Sequence, residues 1–305
     1  MTFEVTILGA NAALPALGRF PTCQILNVNH RYYMIDCGEG AQMQAAHFGI
    51  KLARLHSIFI SHLHGDHYLG LIGLLGTMSL QGRKKPLYLY APIGMADILA
   101  AHQKSGGLYL TFELIFKATN TEVPELLVED DLIKVYTFPL RHRIPCAGFR
   151  FEEKRRGFSL KKDAPLAALS IPQKLALKRG EDIVFEGKTR AFTEFTEPLK
   201  KLRTYAYCSD TIFDINLLPE LKNVDLLYHE ATFTQEYLTR AQETMHTTAF
   251  QAALLAKEAQ VGKLLLGHYS SRYHNLDRLL VEAQAVFPTT EMAIEGQTFE
   301  VLHEV

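Results

Sequence analysis

The chain has 305 residues, 48% of them hydrophobic, with a formal net charge of −1. That length allows one large domain or two small ones with a full core, and the neutral total announces no nucleic acid by itself. Its four cysteines (Cys23, Cys37, Cys146 and Cys208) are scattered, which excludes a zinc ribbon or a redox pair; they read as small core residues in a reduced compartment.

The first residues lack a basic region followed by an apolar one, and the longest apolar stretch, Leu69 to Leu80, is too short to span a bilayer. The expectation is a cytoplasmic protein with no membrane partner. Phe3 to Leu8 alternates polar and apolar and predicts a first strand. Gln24 to Asn27 and Tyr32 to Ile35 predict a hairpin ending on Asp36, a strand-end aspartate suited to accept a hydrogen bond from a ligand imidazole, or to serve as a plain turn carboxylate. Ala41 to Phe48 is a short helix.

Ser57 to Ile60 then predicts a strand, and directly after it come Ser61-His62-Leu63-His64-Gly65-Asp66-His67. Four potential metal ligands fall within six positions. In an extended segment His62 and His64 project to one side, and Gly65 permits a sharp turn that brings Asp66 and His67 round. One cation would see the first pair and a second cation the other. Imidazole and carboxylate without thiolate suit zinc or a similar divalent ion held for catalysis. A strand followed by His-x-His-x-Asp-His resembles the metallo-β-lactamase superfamily, which implies a four-layer αββα sandwich and metal-assisted hydrolysis.

Further on, Leu69 to Leu80 is apolar nearly all round and predicts a buried helix. Leu87 to Tyr90, Tyr109 to Phe116 and Ile133 to Pro139 predict strands, with a helix over Gly94 to His102. His142 lies just past the third of these strands, where a further ligand is needed. Lys154 to Arg179 then carries eight basic residues against one acid, interrupted by Pro165 and Pro172, and predicts neither a regular helix nor a low-complexity tract. A protruding arm that grips phosphates is one reading; a solvated basic insertion is the other.

Arg203 to Cys208 is a strand ending on Ser209 and Asp210, a carboxylate placed to bridge two metals. Val224 to His229 closes on Glu230. His246 opens a helix over Thr248 to Ala259, beside free backbone donors. Lys263 to Leu266 is a strand delivering His268, Leu276 to Val286 a helix, and a short strand pair ends the chain. Strand end after strand end supplies a ligand, as a site on one rim of a sandwich requires.

Together the distal segments are similar to the ribonuclease Z family, which trims the 3′ side of precursor tRNA. The matching pieces are Leu8-Gly9 with Leu14-Pro15, Asp36 to Glu39, Ser61 to His67, His142 with Pro145 and Gly148, Ser209-Asp210-Thr211, His229 to Thr232, His246 to Ala249, and His268 to Tyr273. The family often has Ser-Pro-Arg-Tyr where this chain has Ser270-Ser271-Arg272-Tyr273, and arms of this type commonly carry a Gly-Pro motif that Lys154 to Arg179 lacks. The resemblance implies a single domain over residues 1–305, with a tRNA-gripping arm over 152–190 whose candidate contacts are Lys154, Arg155, Arg156, Lys174, Lys178 and Arg179. It implies that His62, His64 and His142 hold one zinc and that Asp66, His67 and His268 hold the other, with Asp210 between them; manganese is the alternative ion. It also implies Asp66 as the proton acceptor for the attacking water, and a homodimer. His246 backed by Glu230 is the pair placed to protonate the departing 3′ oxygen, and Arg272, with Ser270 beside it, would grip a phosphate. His229 points away from Glu230 along the strand and reads as a core histidine. The competing reading is a general superfamily hydrolase of small phosphodiesters, sulfate esters or lactones.

Overall fold

The computed structural model describes residues 2–154, 157–198 and 202–302. In chain order the strands are β1 (Phe3–Gly9), β2 (Cys23–Val28), β3 (Arg31–Cys37), β4 (Leu55–Phe59), β5 (Leu87–Ala91), β6 (Leu114–Ala118), β7 (Glu125–Glu129), β8 (Ile133–Leu140) and β9 (Cys146–Glu153). Four short strands follow: β10 (Phe158–Leu160), β11 (Ile183–Phe185), β12 (Lys188–Arg190) and β13 (Thr196–Pro198). The last five are β14 (Thr204–Cys208), β15 (Leu226–Glu230), β16 (Lys263–Gly267), β17 (Thr290–Met292) and β18 (Thr298–Glu300).

Two mixed sheets of seven strands result, ordered β18-β1-β2-β3-β4-β5-β6 and β17-β16-β15-β14-β9-β8-β7. Alternation along the strands sorts the side chains between two cores. Phe3, Val5 and Ile7 of β1, Tyr33 and Ile35 of β3 and Phe59 of β4 enter a core shared with Val135, Phe149, Phe151, Tyr205 and Tyr207 of the second sheet. Phe59 meets Phe149 and Phe151 with ring centroids 5.5 and 5.3 Å apart, contacts of about 0.5–1.5 kcal/mol each beyond area burial. The intervening Ile25, Met34, Ile58 and Leu89 face the other way, onto helices Ala41–His47, Gly70–Leu80 and Met95–Lys104. Helices Ala249–Glu258 and Asp277–Gln284 pack along β15, β16 and β17. The layering is helix, sheet, sheet, helix.

Several expectations shift. The strand predicted over Tyr109 to Phe116 is β6, Leu114–Ala118, and Tyr109 is exposed. Leu69 and Leu80, taken as ends of a buried helix, are 57% and 91% exposed, because they lie off the buried stripe of Leu71, Leu74, Leu75, Met78 and Ser79. The closing strands are not a pair: β17 joins β16 in one sheet and β18 joins β1 in the other. His246 does not open a helix; the helix starts at Ala249 behind a capping box made by Thr248 and Gln251. Among the described residues no helix is long and apolar enough to cross a membrane.

Gly148 in β9 has no room for a side chain: a Cβ there would overlap the ring of Phe138 on β8 and sit 3.0 Å from the Tyr207 carbonyl oxygen. Gly148→Ala is therefore expected to cost about 1–3 kcal/mol by overpacking, read as a lower urea midpoint at unchanged slope. An unmoved midpoint would show that the Phe138 ring can yield.

Residues 153–202 form a second compact unit. Leu169, Leu177, Ile183 and Phe195 make a small core of its own, with β10 paired to β13 and β11 to β12. Contrary to the expectation of no regular helix, Ile171–Arg179 is one. Ser170 and Gln173 form its capping box, and Pro172 falls in the first turn, where a missing N–H costs nothing.

Candidate metal centre

The ligand candidates lie at or just beyond the ends of four strands drawn from both sheets. β4 delivers His62 and His64, β8 delivers His142, β14 delivers Asp210 and β16 delivers His268, while Asp66 and His67 sit on the helical turn Gly65–Tyr68. The loop after β1 is stitched to this rim: Ala12 N–H donates to the Tyr269 carbonyl and Tyr269 N–H to Ala10 (both 2.9 Å), and Ala13 N–H donates to Asp66 Oδ2 at 2.8 Å.

Two clusters of donor atoms converge. In the first, His64 Nδ1 lies 3.0 Å from His62 Nε2 and 3.1 Å from His142 Nε2, and Asp210 Oδ2 lies 3.6 and 3.7 Å from those two Nε2 atoms. In the second, Asp66 Oδ2 lies 3.4 Å from both His67 Nε2 and His268 Nε2, with Asp210 Oδ1 3.4 and 3.1 Å from the same nitrogens. Asp210 thus presents one oxygen to each cluster. A tetrahedral ion with ligands at about 2.0–2.1 Å has edges of roughly 3.3–3.4 Å, so both clusters have the spacing of a metal shell. His67 Nε2 and Asp210 Oδ1 are buried and have no hydrogen-bond partner among the described residues. Orphaned buried polar atoms are rare, and a cation between them would satisfy both. The residues present fit two divalent ions.

The opposite edge of four of the five imidazoles is pinned. His67 Nδ1 donates to Asp36 Oδ2 at 2.7 Å, the role its strand-end position allowed. Asp36, fully buried at φ 54°, also accepts from Tyr207 (2.5 Å), from Ser61 N–H (2.8 Å) and from Ser61 Oγ (2.9 Å). With its own proton on Asp36, Ser61 Oγ is left to accept from His62 Nδ1 at 3.0 Å and from Ser209 at 2.9 Å. His142 Nδ1 donates to the Met245 carbonyl (3.0 Å) and His268 Nδ1 to Thr232 Oγ1 (2.9 Å). In each of these four imidazoles Nε2 is left as the free lone pair. Sequence reasoning passed over Ser209, Tyr207 and Thr232 as hydrogen-bonding partners; the one available signal was a hydroxyl within three residues of a proposed site residue.

Electrostatics follow the same layout. Burial pushes His62, His64 and His142 below the ordinary imidazole range. Against burial, Asp66, Asp210 and Asp36 raise His67 well above it, so in the absence of a cation the Nε2 lone pair takes a proton that a bound ion would replace. Burial would raise Asp66 and Asp210, yet His67 and His268 keep both ionised. His246 Nδ1 lies 2.9 Å from Glu230 Oε1; burial opposes its charge, but Glu230 lifts it to about 9. Glu230 is buried and fully bonded, accepting also from Thr211 N–H (2.9 Å) and Thr232 Oγ1 (2.5 Å).

A cleft of about 520 Å³ opens over the clusters, lined among others by His64, Asp66, His142, Asp210, His246, His268, Ser270 and Arg272. The Arg272 guanidinium lies 4.9 Å from the Phe233 ring and 4.5 Å from the Tyr237 ring, with Nε donating to Ser270 Oγ at 3.2 Å. Ser270 therefore bonds Arg272 itself. His229 is in the core, as expected, with Nδ1 donating to the Glu230 carbonyl. In the second unit Lys178 and Arg179 are exposed, Lys154 and Lys174 half-buried, and Arg179 pairs with Glu181 at 2.7 Å; Arg155 and Arg156 lie outside the described residues.

Such a sandwich, with paired His/Asp clusters on one rim, defines a metallo-β-lactamase-fold hydrolase. The solved structures agree: the metallo-β-lactamase fold protein YhfI from Bacillus subtilis covers 98% of this chain and all of its own at TM-score 0.70 and 22% identity. Human tRNase Z, short form, covers the same shares at TM-score 0.72 and 26% identity. A family model described as Anti-Pycsar protein Apyc1 matches residues 3–157. Ribonuclease Z of Bacteroides thetaiotaomicron is 43% identical over 98% of this chain and 95% of its own length. Ribonuclease Z of Cytophaga hutchinsonii is 44% identical over 99% and 97%. The chain belongs to the ribonuclease Z family.

Proposed function

We propose that this chain is a two-zinc endoribonuclease that hydrolyses the phosphodiester bond at the 3′ end of precursor tRNA, releasing the trailer and leaving a 3′-hydroxyl on the tRNA. The observation that carries the reading is the double convergence of ligand atoms on Asp210, beside the His246–Glu230 pair. His62, His64 and His142 would hold one ion and Asp66, His67 and His268 the other. Bound there, two divalent ions supply Lewis acidity to the phosphoryl oxygens and a more acidic water. Asp66 has Oδ2 committed to Ala13 N–H and the second cluster; its Oδ1 would take the proton of the attacking water. His246, protonated against Glu230, would give its Nε2 proton to the departing 3′ oxygen. Arg272, stacked on Phe233 and Tyr237 and steered by Ser270, would present its fork to a phosphate. A cytoplasmic homodimer completes the reading. The test is incubation with a 3′-extended precursor tRNA and mapping of the product ends. Cleavage of small diesters alone would replace the reading with that of a general hydrolase.

The basic arm, proposed over 152–190, would supply affinity for the folded RNA. Lys154 to Arg179 concentrates the positive charge, although the compact unit 153–202, with 12 basic and 7 acidic residues, dilutes it. Exposed ion pairs such as Arg179–Glu181 are weak, at about 0–1 kcal/mol, and can exchange for phosphate. Deleting the arm is expected to weaken tRNA binding by roughly tenfold and to flatten its salt dependence by about 0.7–0.9 in logarithmic slope for each phosphate the arm had neutralised. Hydrolysis of a chromogenic phosphodiester should persist. Equal loss of both activities would mark the segment as structural, and loss of neither would remove it from substrate binding.

A further inference from the structure

The cleft over the metal clusters has two arginines that no step above uses, Arg143 and Arg240. Both side chains are exposed, and both meet the last turn of helix Leu238–Thr244: Arg143 Nη2 donates to the Glu243 carbonyl at 3.3 Å, and Arg240 Nη1 lies 3.3 Å from Glu243 Oε2. Tyr237, on whose ring Arg272 rests, is the N-cap of the same helix that carries Arg240 three residues further on. Arg272 at the N-cap Tyr237, Arg240 on the helix itself and Arg143 at its last turn all line the cleft, so this helix and its contacts make a wall carrying three guanidinium groups. Among the described residues, Glu39 is the lone acid lining the cleft besides Asp66 and Asp210.

Neither arginine is consumed by the bond it makes. Arg143 uses one of five N–H donors on a helix-end carbonyl, and the rest stay available. The Arg240–Glu243 pair spans three residues with side chains 56% and 59% exposed, an ion pair of little net worth that a phosphate can displace. A single scissile phosphate needs one fork, which Arg272 provides. Further forks along the same wall match a ligand with further phosphates at regular intervals.

We propose that Arg143 and Arg240 hold the phosphates flanking the scissile one, so that this wall is a backbone track that selects a polynucleotide over an isolated phosphodiester. The proposal rests on the reading of the chain as an RNA hydrolase and names positioning residues for that reaction. Arg143→Ala, Arg240→Ala and the double variant are to be assayed on a 3′-extended precursor tRNA and on bis(p-nitrophenyl) phosphate, with metal content measured on each. The double variant should raise KM for the RNA by roughly tenfold or more, the scale of removing charge-assisted hydrogen bonds, with kcat nearly held. Its salt slope should fall by about 0.7–0.9 for each phosphate released, and kcat/KM should drop at least tenfold more for the RNA than for the small diester. Arg143→Lys and Arg240→Lys should keep most of the salt slope, since they keep the charge. Unchanged RNA KM and slope would overturn the proposal, as would loss of metal, which would make Arg143 a brace for His142. If the double variant fails to fold, Arg240→Ala alone decides by the same readouts. Wild-type protein that leaves the RNA intact would overturn the functional reading first, whereas intact RNA cleavage with indifferent variants overturns only the track.

Discussion

Asp210→Asn is expected to empty both metal sites and to lower kcat/KM on precursor tRNA by roughly 10³-fold or more. Metal-borne charge stabilisation is worth several kcal/mol, and each ~1.4 kcal/mol is a factor of ten. Asp210 stands apart from the other ligand candidates because its two oxygens face different clusters, Oδ2 toward His62 and His142, Oδ1 toward His67 and His268. An amide keeps the volume but loses the negative charge and offers an N–H where a lone pair is needed. Metal analysis is the check: near two ions per chain in the parent, well below one in the variant. Asp36→Asn makes the contrast. Of the ligand imidazoles it bonds only His67, from behind, so metal affinity should fall by about 10–100-fold, the usual scale for such partners. A variant of Asp210 that retained both ions would show that the clusters are assembled by the imidazoles alone.

Much of this centre is legible in the sequence because it depends on local geometry. The two-residue step from His62 to His64 puts both on one side of an extended segment, and their facing nitrogens do lie 3.0 Å apart. Gly65 does turn the chain, into the helical turn that carries Asp66 and His67. What stays hidden depends on distant chain meeting at one point. Ser61 and Ser209 are 148 positions apart, and Tyr207 reaches Asp36 across 171; no local pattern announces either. The helix Ile171–Arg179 is missed for the opposite reason: Pro172 reads as a breaker, but only its place in the first turn decides, and the Ser170–Gln173 capping box fixes that place. β6 slips because aromatic residues Tyr109 and Phe112 simulate a strand while the hydrogen-bonded register with β5 runs from Leu114 to Ala118.

His246→Ala should leave two ions in place and slow cleavage of precursor tRNA by roughly 10²-fold, the scale of one proton transfer. The structure sets up that separation. His246 Nδ1 is committed to Glu230 at 2.9 Å and stands 4.0 Å from Asp210 Oδ2, behind the nitrogens that form the clusters. Yet Asp210, His246 and His268 also converge closely enough to share an ion, so the metal content of the variant discriminates between a proton donor and a ligand. Leaving-group dependence discriminates further. A 3′ alkoxide must be protonated as it departs, whereas p-nitrophenolate can leave without help. If His246 donates that proton, the defect should shrink sharply on bis(p-nitrophenyl) phosphate and remain full on the RNA. An equal loss on both substrates with metal retained would place His246 in organising the cleft rather than in proton transfer.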